Sequence, residues 1–133
     1  MHLPPPILAK VREAIADLDD SFDWGRLGRH HDAIPLLLTI GKMIFLRSDG
    51  AFLEYEGDPL PERLIRETPD MDTVALAWGA ERYPWLSALF PSRPADAPNC
   101  ARCGGTGRLG NASHRGSYIY CPSCAALGWV LAG

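Results

Sequence analysis

Residues 42 to 57, KMIFLRSDGAFLEYEG, place two runs of β-prone residues on either side of Asp49-Gly50. Asp-Gly readily takes the positive φ angles of a type I′ turn, so the stretch reads as a β-hairpin. A two-residue loop pairs Ser48 with Ala51, Leu46 with Leu53 and Ile44 with Tyr55. That register predicts one face of Ile44, Leu46, Leu53 and Tyr55, with Arg47, Glu54, Glu56, Phe45 and Phe52 on the other. A hairpin cannot bury such a face against itself, so the first face should meet the first helix of the chain.

Upstream, Ile7, Leu8, Val11, Ile15 and Leu18 recur at helical spacing, with Lys10, Arg12, Glu13 and Asp17 between them. This predicts an amphipathic helix of about three turns that stops at Asp19-Asp20-Ser21. FDWGRLGRHHD, residues 22 to 32, lacks periodicity and carries two glycines, so a loop is expected, and Pro35 delays regular structure until about Leu36. Downstream, Pro61-Glu62 open a short helical piece that ends at Thr68-Pro69. Asp70 is placed to cap a helix with Met71, Val74, Ala75 and Trp78 on one side, Trp78 being a core candidate. Pro84 suits the first turn of YPWLSALF, with Leu86, Leu89 and Phe90 turned inward. Together these predict the α+β class: helices packed on a small antiparallel sheet over residues 1 to 91. The prolines of PSRPADAPN then mark residues 92 to 99 as a semi-rigid linker to a module at 100 to 133.

The 133 residues are 47% hydrophobic and 22% charged, close to the globular average, which argues against disorder and against a membrane protein. Three prolines interrupt MHLPPPILAKV where a secretory signal needs a continuous apolar stretch, so a reducing cytoplasm is expected. In that compartment paired cysteines favour metal over disulfides. All 16 acidic residues lie at or before Asp96, leaving residues 1 to 99 with 10 basic residues against them, a net of -6. The last segment has Arg102, Arg108 and Arg115 and no carboxylate. Four thiolates around one divalent ion would reduce its +3 to about +1, a weak field for binding nucleic acid.

That segment holds all four cysteines of the chain, as CARC and CPSC: Cys100, Cys103, Cys121 and Cys124. Two C-x-x-C pairs separated by 17 residues fit the spacing of a four-cysteine zinc site. Each C-x-x-C turn can present two sulfurs to one ion, and four sulfurs close a tetrahedral shell, which is structural rather than catalytic. Iron is compatible with four thiolates, and a reduced or redox-active set of cysteines is the alternative; zinc, one per chain, is the expected cofactor. Between the pairs, TGRLG and GSYIYC can form a hairpin around NASHR, with Tyr118 and Tyr120 on one side and Ile119 on the other. His114 in that turn could bind a metal, but with four cysteines available it reads as an exposed turn residue, and the adjacent His30-His31 lack ligand spacing and read the same way.

CARCGGTG resembles the C-x-x-C-x-G-x-G repeat of the DnaJ-type cysteine-rich region, in which two repeats share one zinc ion. The resemblance implies the same four ligands here. It covers residues 100 to 128 alone, and the second pair, CPSCAALG, has alanines where a glycine is usual and keeps only Gly128, pointing to a knuckle of more general zinc-ribbon form. His31-Asp32 lacks the central proline of the His-Pro-Asp motif of a J-domain, so chaperone partnership is not carried over.

No G-x-S-x-G, phosphate-binding glycine loop or Ser/His/Asp set is present, and no catalytic residue is nominated. The expected function is that of a non-catalytic zinc protein acting as an adaptor for another protein. The alternative is RNA or single-stranded nucleic-acid binding through Arg108, Arg115 and Tyr118, a basic and aromatic set able to meet phosphate and stack on bases. No membrane association is expected.

Overall fold

In the computed structural model, residues 2–39, 41–57, 63–110 and 118–131 are described. The chain runs α1 (Pro5–Ala16), α2 (Asp23–His30), β1 (Ala33–Thr39), β2 (Lys42–Arg47), β3 (Phe52–Glu56), β4 (Arg63–Thr68) and α3 (Thr73–Ala80). A 3-10 helix (Pro84–Leu89), β5 (Arg108–Gly110) and β6 (Tyr118–Tyr120) follow. β1 to β4 form an antiparallel meander, and β5 and β6 a separate two-stranded ribbon. The α+β class holds, and the first helix and the β5–β6 hairpin form where the sequence places them. No helix among the described residues is long and apolar enough to cross a membrane.

The central hairpin forms one residue out of the expected register. Leu46 pairs with Phe52, Phe45 with Leu53, Ile44 with Glu54 and Met43 with Tyr55. The Arg47 amide donates to the Ala51 carbonyl and the Gly50 amide to that of Arg47, so the loop is the three residues Ser48-Asp49-Gly50. Gly50 takes φ 93°, the left-handed position that closes a three-residue loop. Asp49 also serves the loop, accepting from the Ala51 amide at 3.0 Å and from both ends of the Arg47 guanidinium. One residue of slip moves half of the hairpin to the opposite face. Phe52 joins Ile44 and Leu46, while Leu53 and Tyr55 join Met43 and Phe45.

Both faces of the sheet are therefore buried across β1 to β3. Ile34, Leu36, Ile44, Leu46 and Phe52 pack against Ile7 and Val11 of α1, Leu76 of α3 and Leu86 and Leu89 of the 3-10 helix. Ala33, Met43, Phe45, Leu53 and Tyr55 pack on the other side with Trp24 and Leu27. These last two belong to α2, the segment expected to be a loop. Its glycines are contact points: a Cβ on Gly28 would lie 2.7 Å from both the Ala33 carbonyl oxygen and Leu18 Cδ1, and one on Gly25 would collide with the Asp19 carbonyl. Burial of Trp24 and Leu27 outweighs the roughly 1 kcal/mol per residue that glycine costs inside a helix.

Three further expectations are corrected. Pro35 lies inside β1 rather than delaying it; β1 is an edge strand with a register shift between Pro35 and Leu37, where a missing amide is tolerated. Residues 63–68 pair with β3 as the other edge strand instead of forming a helical piece; Pro61 and Glu62 lie outside the described residues. On β4, Arg66 bridges Glu54 at 3.0 Å, and Arg63 faces Glu56 at 3.6 Å. The cap of α3 is Asp72, whose carboxylate accepts from the Ala75 amide at 3.0 Å, not Asp70; Met71 is exposed. The residues α3 buries are Ala75, Leu76, Ala77 and Gly79, and Trp78 is half-buried at its edge. Pro84 opens the 3-10 helix and Leu86 and Leu89 are buried, with Phe90 packed beside them.

Candidate metal centre

The four cysteine sulfurs lie within 4.8 Å of one another. Cys100 Sγ is 3.9 Å from Cys121 Sγ and Cys103 Sγ is 3.8 Å from Cys124 Sγ. A sulfur–sulfur bond is about 2.0 Å long, so these are free thiols. Sulfurs about 2.3 Å from a central ion in a tetrahedron are about 3.8 Å apart, so the donor set fits one metal ion. Cys100, Cys121 and Cys124 are buried with Leu109 and Val130 around them, and Cys103 is half-buried.

The backbone explains how so few residues hold this arrangement. Each residue of the first C-x-x-C knuckle has a counterpart 21 positions later. The Gly107 amide donates to Cys103 Sγ and the Gly128 amide to Cys124 Sγ, both at 3.2 Å. The Cys121 amide donates to the Gly107 carbonyl at 2.8 Å, and the Cys100 amide to that of Gly128 at 2.9 Å. The β5–β6 pair Arg108–Tyr120 is mirrored by the bridge Asn99–Trp129. The two knuckles thus form a pseudo-twofold pair that meets at its glycines. A Cβ on Gly107 would lie 2.5 Å from the Ala126 carbonyl oxygen, and one on Gly128 2.6 Å from that of Gly105.

The second knuckle was expected to differ because its glycines are replaced by alanine, yet it folds the same way. Gly104, Gly105 and Gly107 have φ of 65°, 91° and 77°; Ala125, Ala126 and Gly128 have 51°, 69° and 84°. Two successive alanines in the left-handed region cost about 1–2 kcal/mol each. The amide–sulfur bond and the packing between the knuckles hold them there.

The thiols differ in acidity. Burial opposes ionisation of Cys103, but the amides of Gly107 and Gly105 and the facing cysteines bring it down to about 6. Cys121 is likewise lowered against the effect of burial, by the amides of Cys124 and Ser123. Burial, reinforced by the neighbouring sulfurs, pushes Cys124 up to about 11 despite the Gly128 amide. Gathering four thiolates at these distances sets like charges against one another, and a bound cation resolves that conflict.

The centre is fastened to α3. Thr73 Oγ1, in the first turn of α3, donates to the Ala125 carbonyl at 2.6 Å, and Trp78 meets the buried Tyr120 edge to face at 5.0 Å. Arg93 donates to the Ala97 carbonyl and to Asn99 Oδ1, each at 2.8 Å, and Ala97 is buried. Sequence reasoning did not single out Thr73 or Tyr120 for this contact, because nothing local marks residues that meet across about 50 positions of chain.

Of the basic and aromatic set, Arg108 lies over the Tyr120 ring, 5.7 Å from its centroid. Arg115 and His114 lie outside the described residues, and of Tyr118 the backbone pairing with Gly110 is described. His30 and His31 meet edge to face, and His31 lies against Tyr55 at 5.4 Å. Burial, with the nearby His30 and Arg47, holds the His31 pKa below its usual value.

No family model matches the chain, and no solved structure does. It is similar to a 3-isopropylmalate dehydrogenase of Arthrospira platensis, with 29% identity over 97 residues, 68% of this chain and 26% of that protein. The chain thus spans about a quarter of that protein's length, and the similarity carries no activity to it.

Proposed function

We propose that the protein binds one zinc ion through Cys100, Cys103, Cys121 and Cys124 as a structural centre, and that it works as a non-catalytic adaptor for another protein. The observation that carries the zinc reading is the convergence of four sulfurs at tetrahedral edge distances, with two amides donating to them. Four thiolates leave no coordination position for a substrate, which favours a structural over a catalytic ion. The likeness of CARCGGTG to the DnaJ-type cysteine-rich region belongs to the same reading, as does a reducing, cytoplasmic setting. In support of an adaptor role, Pro91, Pro122, Leu127, Trp129 and Leu131 line an apolar groove of about 520 Å³ beside the centre. Leu131 is 74% exposed, and exposed apolar ground of this kind is typical of protein contacts.

Elemental analysis of the purified protein tests the centre: one zinc per chain is expected, reduced by serine at any of the four positions. A metal-free protein whose β5–β6 hairpin amides remain dispersed would overturn it. Affinity capture tests the role, with recovery of a protein partner by the wild type and its loss in Cys124→Ser as the expected result. Recovery instead of single-stranded RNA, abolished by Arg108→Ala with Arg115→Ala and weakening steeply with salt, would replace the adaptor by nucleic-acid binding.

A further inference from the structure

A second concave site lies between α1, α2 and the entrance to the 3-10 helix, and no cysteine lines it. Its volume is about 370 Å³, and Trp24, Tyr83 and Trp85 line it together with Glu13, Asp17 and Lys10. Tyr83 and Trp85 meet at 5.6 Å with their planes 46° apart, presenting ring faces at an angle rather than a closed stack. Trp24 stacks on Phe22, with ring centroids 5.2 Å apart and planes 11° apart. All three lining rings are half-buried.

The groove is lined by two carboxylates and one ammonium, a net charge of -1. Glu13 and Asp17 stand one turn apart along α1, and among the described residues no ion pair neutralises either. Lys10 is exposed and pairs with neither carboxylate. Carboxylates placed beside aromatic faces suit a cation whose charge is spread over a flat or apolar surface. The ring faces attract it through their quadrupoles, and the carboxylates supply the counter-charge. The net charge of -6 on residues 1 to 99 favours approach of such a group. The volume is at the small end for a metabolite pocket, which suits one side chain inserted from a larger molecule.

We propose that this groove binds a cationic side chain, arginine or lysine, presented by a polypeptide partner. Trp24, Tyr83 and Trp85 form the cage for the guanidinium or ammonium group, and Glu13 and Asp17 neutralise it from α1. It shares no residue with the metal centre.

The test uses the full-length, metal-replete protein titrated with acetyl-Gly-Arg-Gly-amide, the same peptide with neutral citrulline, and free arginine, followed by the indole N–H signals of Trp24 and Trp85. The arginine peptide should shift both signals with saturation, bind about tenfold more tightly than the citrulline peptide, and bind more tightly than free arginine. Glu13→Gln with Asp17→Asn, two exposed positions that the fold tolerates, should weaken it about fivefold. Trp85→Leu should weaken it by a similar factor while leaving the β-sheet amide signals in place. Equal binding of the arginine and citrulline peptides, shifts confined to other tryptophans, or no saturable shift would overturn the proposal. Tighter binding of free arginine than of the peptide would overturn the polypeptide occupant in favour of a small amine.

Discussion

Ala125 and Ala126 are where the chain departs from glycine while keeping the glycine conformation. The side chain at each position costs energy and the backbone position is retained, so glycine there should be stabilising. Ala126→Gly is expected to gain about 1 kcal/mol for the cysteine module. Competition against a graded series of chelators would register this as tighter metal retention. Gly107→Ala should do the reverse, because its methyl group would meet the Ala126 carbonyl oxygen at 2.5 Å and its φ is 77°. Loss of bound metal from Gly107→Ala, beside retention or gain in Ala126→Gly, is the expected pair of outcomes; equal behaviour would show that the knuckle does not depend on this packing. Spacing alone picks out the four candidate ligands, since two C-x-x-C pairs leave few other uses for the sulfur. It says nothing of the alanines, because left-handed backbone is imposed from outside the residue.

At the scale of elements, α2 is the instructive case. Its sequence, DWGRLGRH, argues against a helix by propensity, and an isolated peptide of that sequence would form none in water. The element exists because Trp24 and Leu27 cover the Met43, Phe45 and Tyr55 face of the sheet. Its two glycines let the helix axis come within contact of Asp19 and Ala33. Helix propensity predicts that Gly28→Ala is stabilising by about 1 kcal/mol. The packing predicts the opposite sign, a loss of about 2 kcal/mol, because the added methyl group must displace both the Ala33 carbonyl and the Leu18 side chain. Urea unfolding of the single variant decides between them. The same contest explains β4, whose residues are exposed along nearly their whole length. Pairing with β3 fixes them as a strand, through ladder bonds and ion pairs that no periodicity announces.

For the whole molecule, the contacts Thr73–Ala125 and Trp78–Tyr120 link the metal centre to α3. Removal of the metal should therefore be felt beyond the cysteines. Chelation is expected to abolish the dispersed amide signals of β5, β6 and both knuckles, since about 30 residues cannot bury enough apolar surface to fold unaided. The sheet and α1 should persist on their own core. The amides at the start of α3 and the emission of Trp78 should change along with the knuckles. Thr73→Val should weaken metal retention several-fold and Thr73→Ser should restore it, by the reciprocity of linked equilibria. An α3 and a Trp78 signal indifferent to chelation would show that the two parts are energetically separate.

The sequence by itself determined the features whose cause is local or chemical. These are the amphipathic repeat of α1, the β-character of residues 42 to 56, the turn at Asp49-Gly50, proline at the head of the 3-10 helix, and the four-cysteine donor set. Tertiary structure decided the rest. The hairpin register follows from a three-residue rather than a two-residue loop, and that register buries apolar residues on both faces of the hairpin. Strand β1 runs through Pro35 because it lies at an edge, and Asp72 rather than Asp70 caps α3 because the helix begins at Thr73, which puts the Ala75 amide within reach of Asp72. The seating of Ala125 on Thr73 and of Tyr120 on Trp78 was likewise beyond local reading. Local propensities differ by about 1 kcal/mol per residue, whereas burying one large apolar side chain is worth about 1.5–3 kcal/mol, so where the two disagree, partners distant in sequence decide.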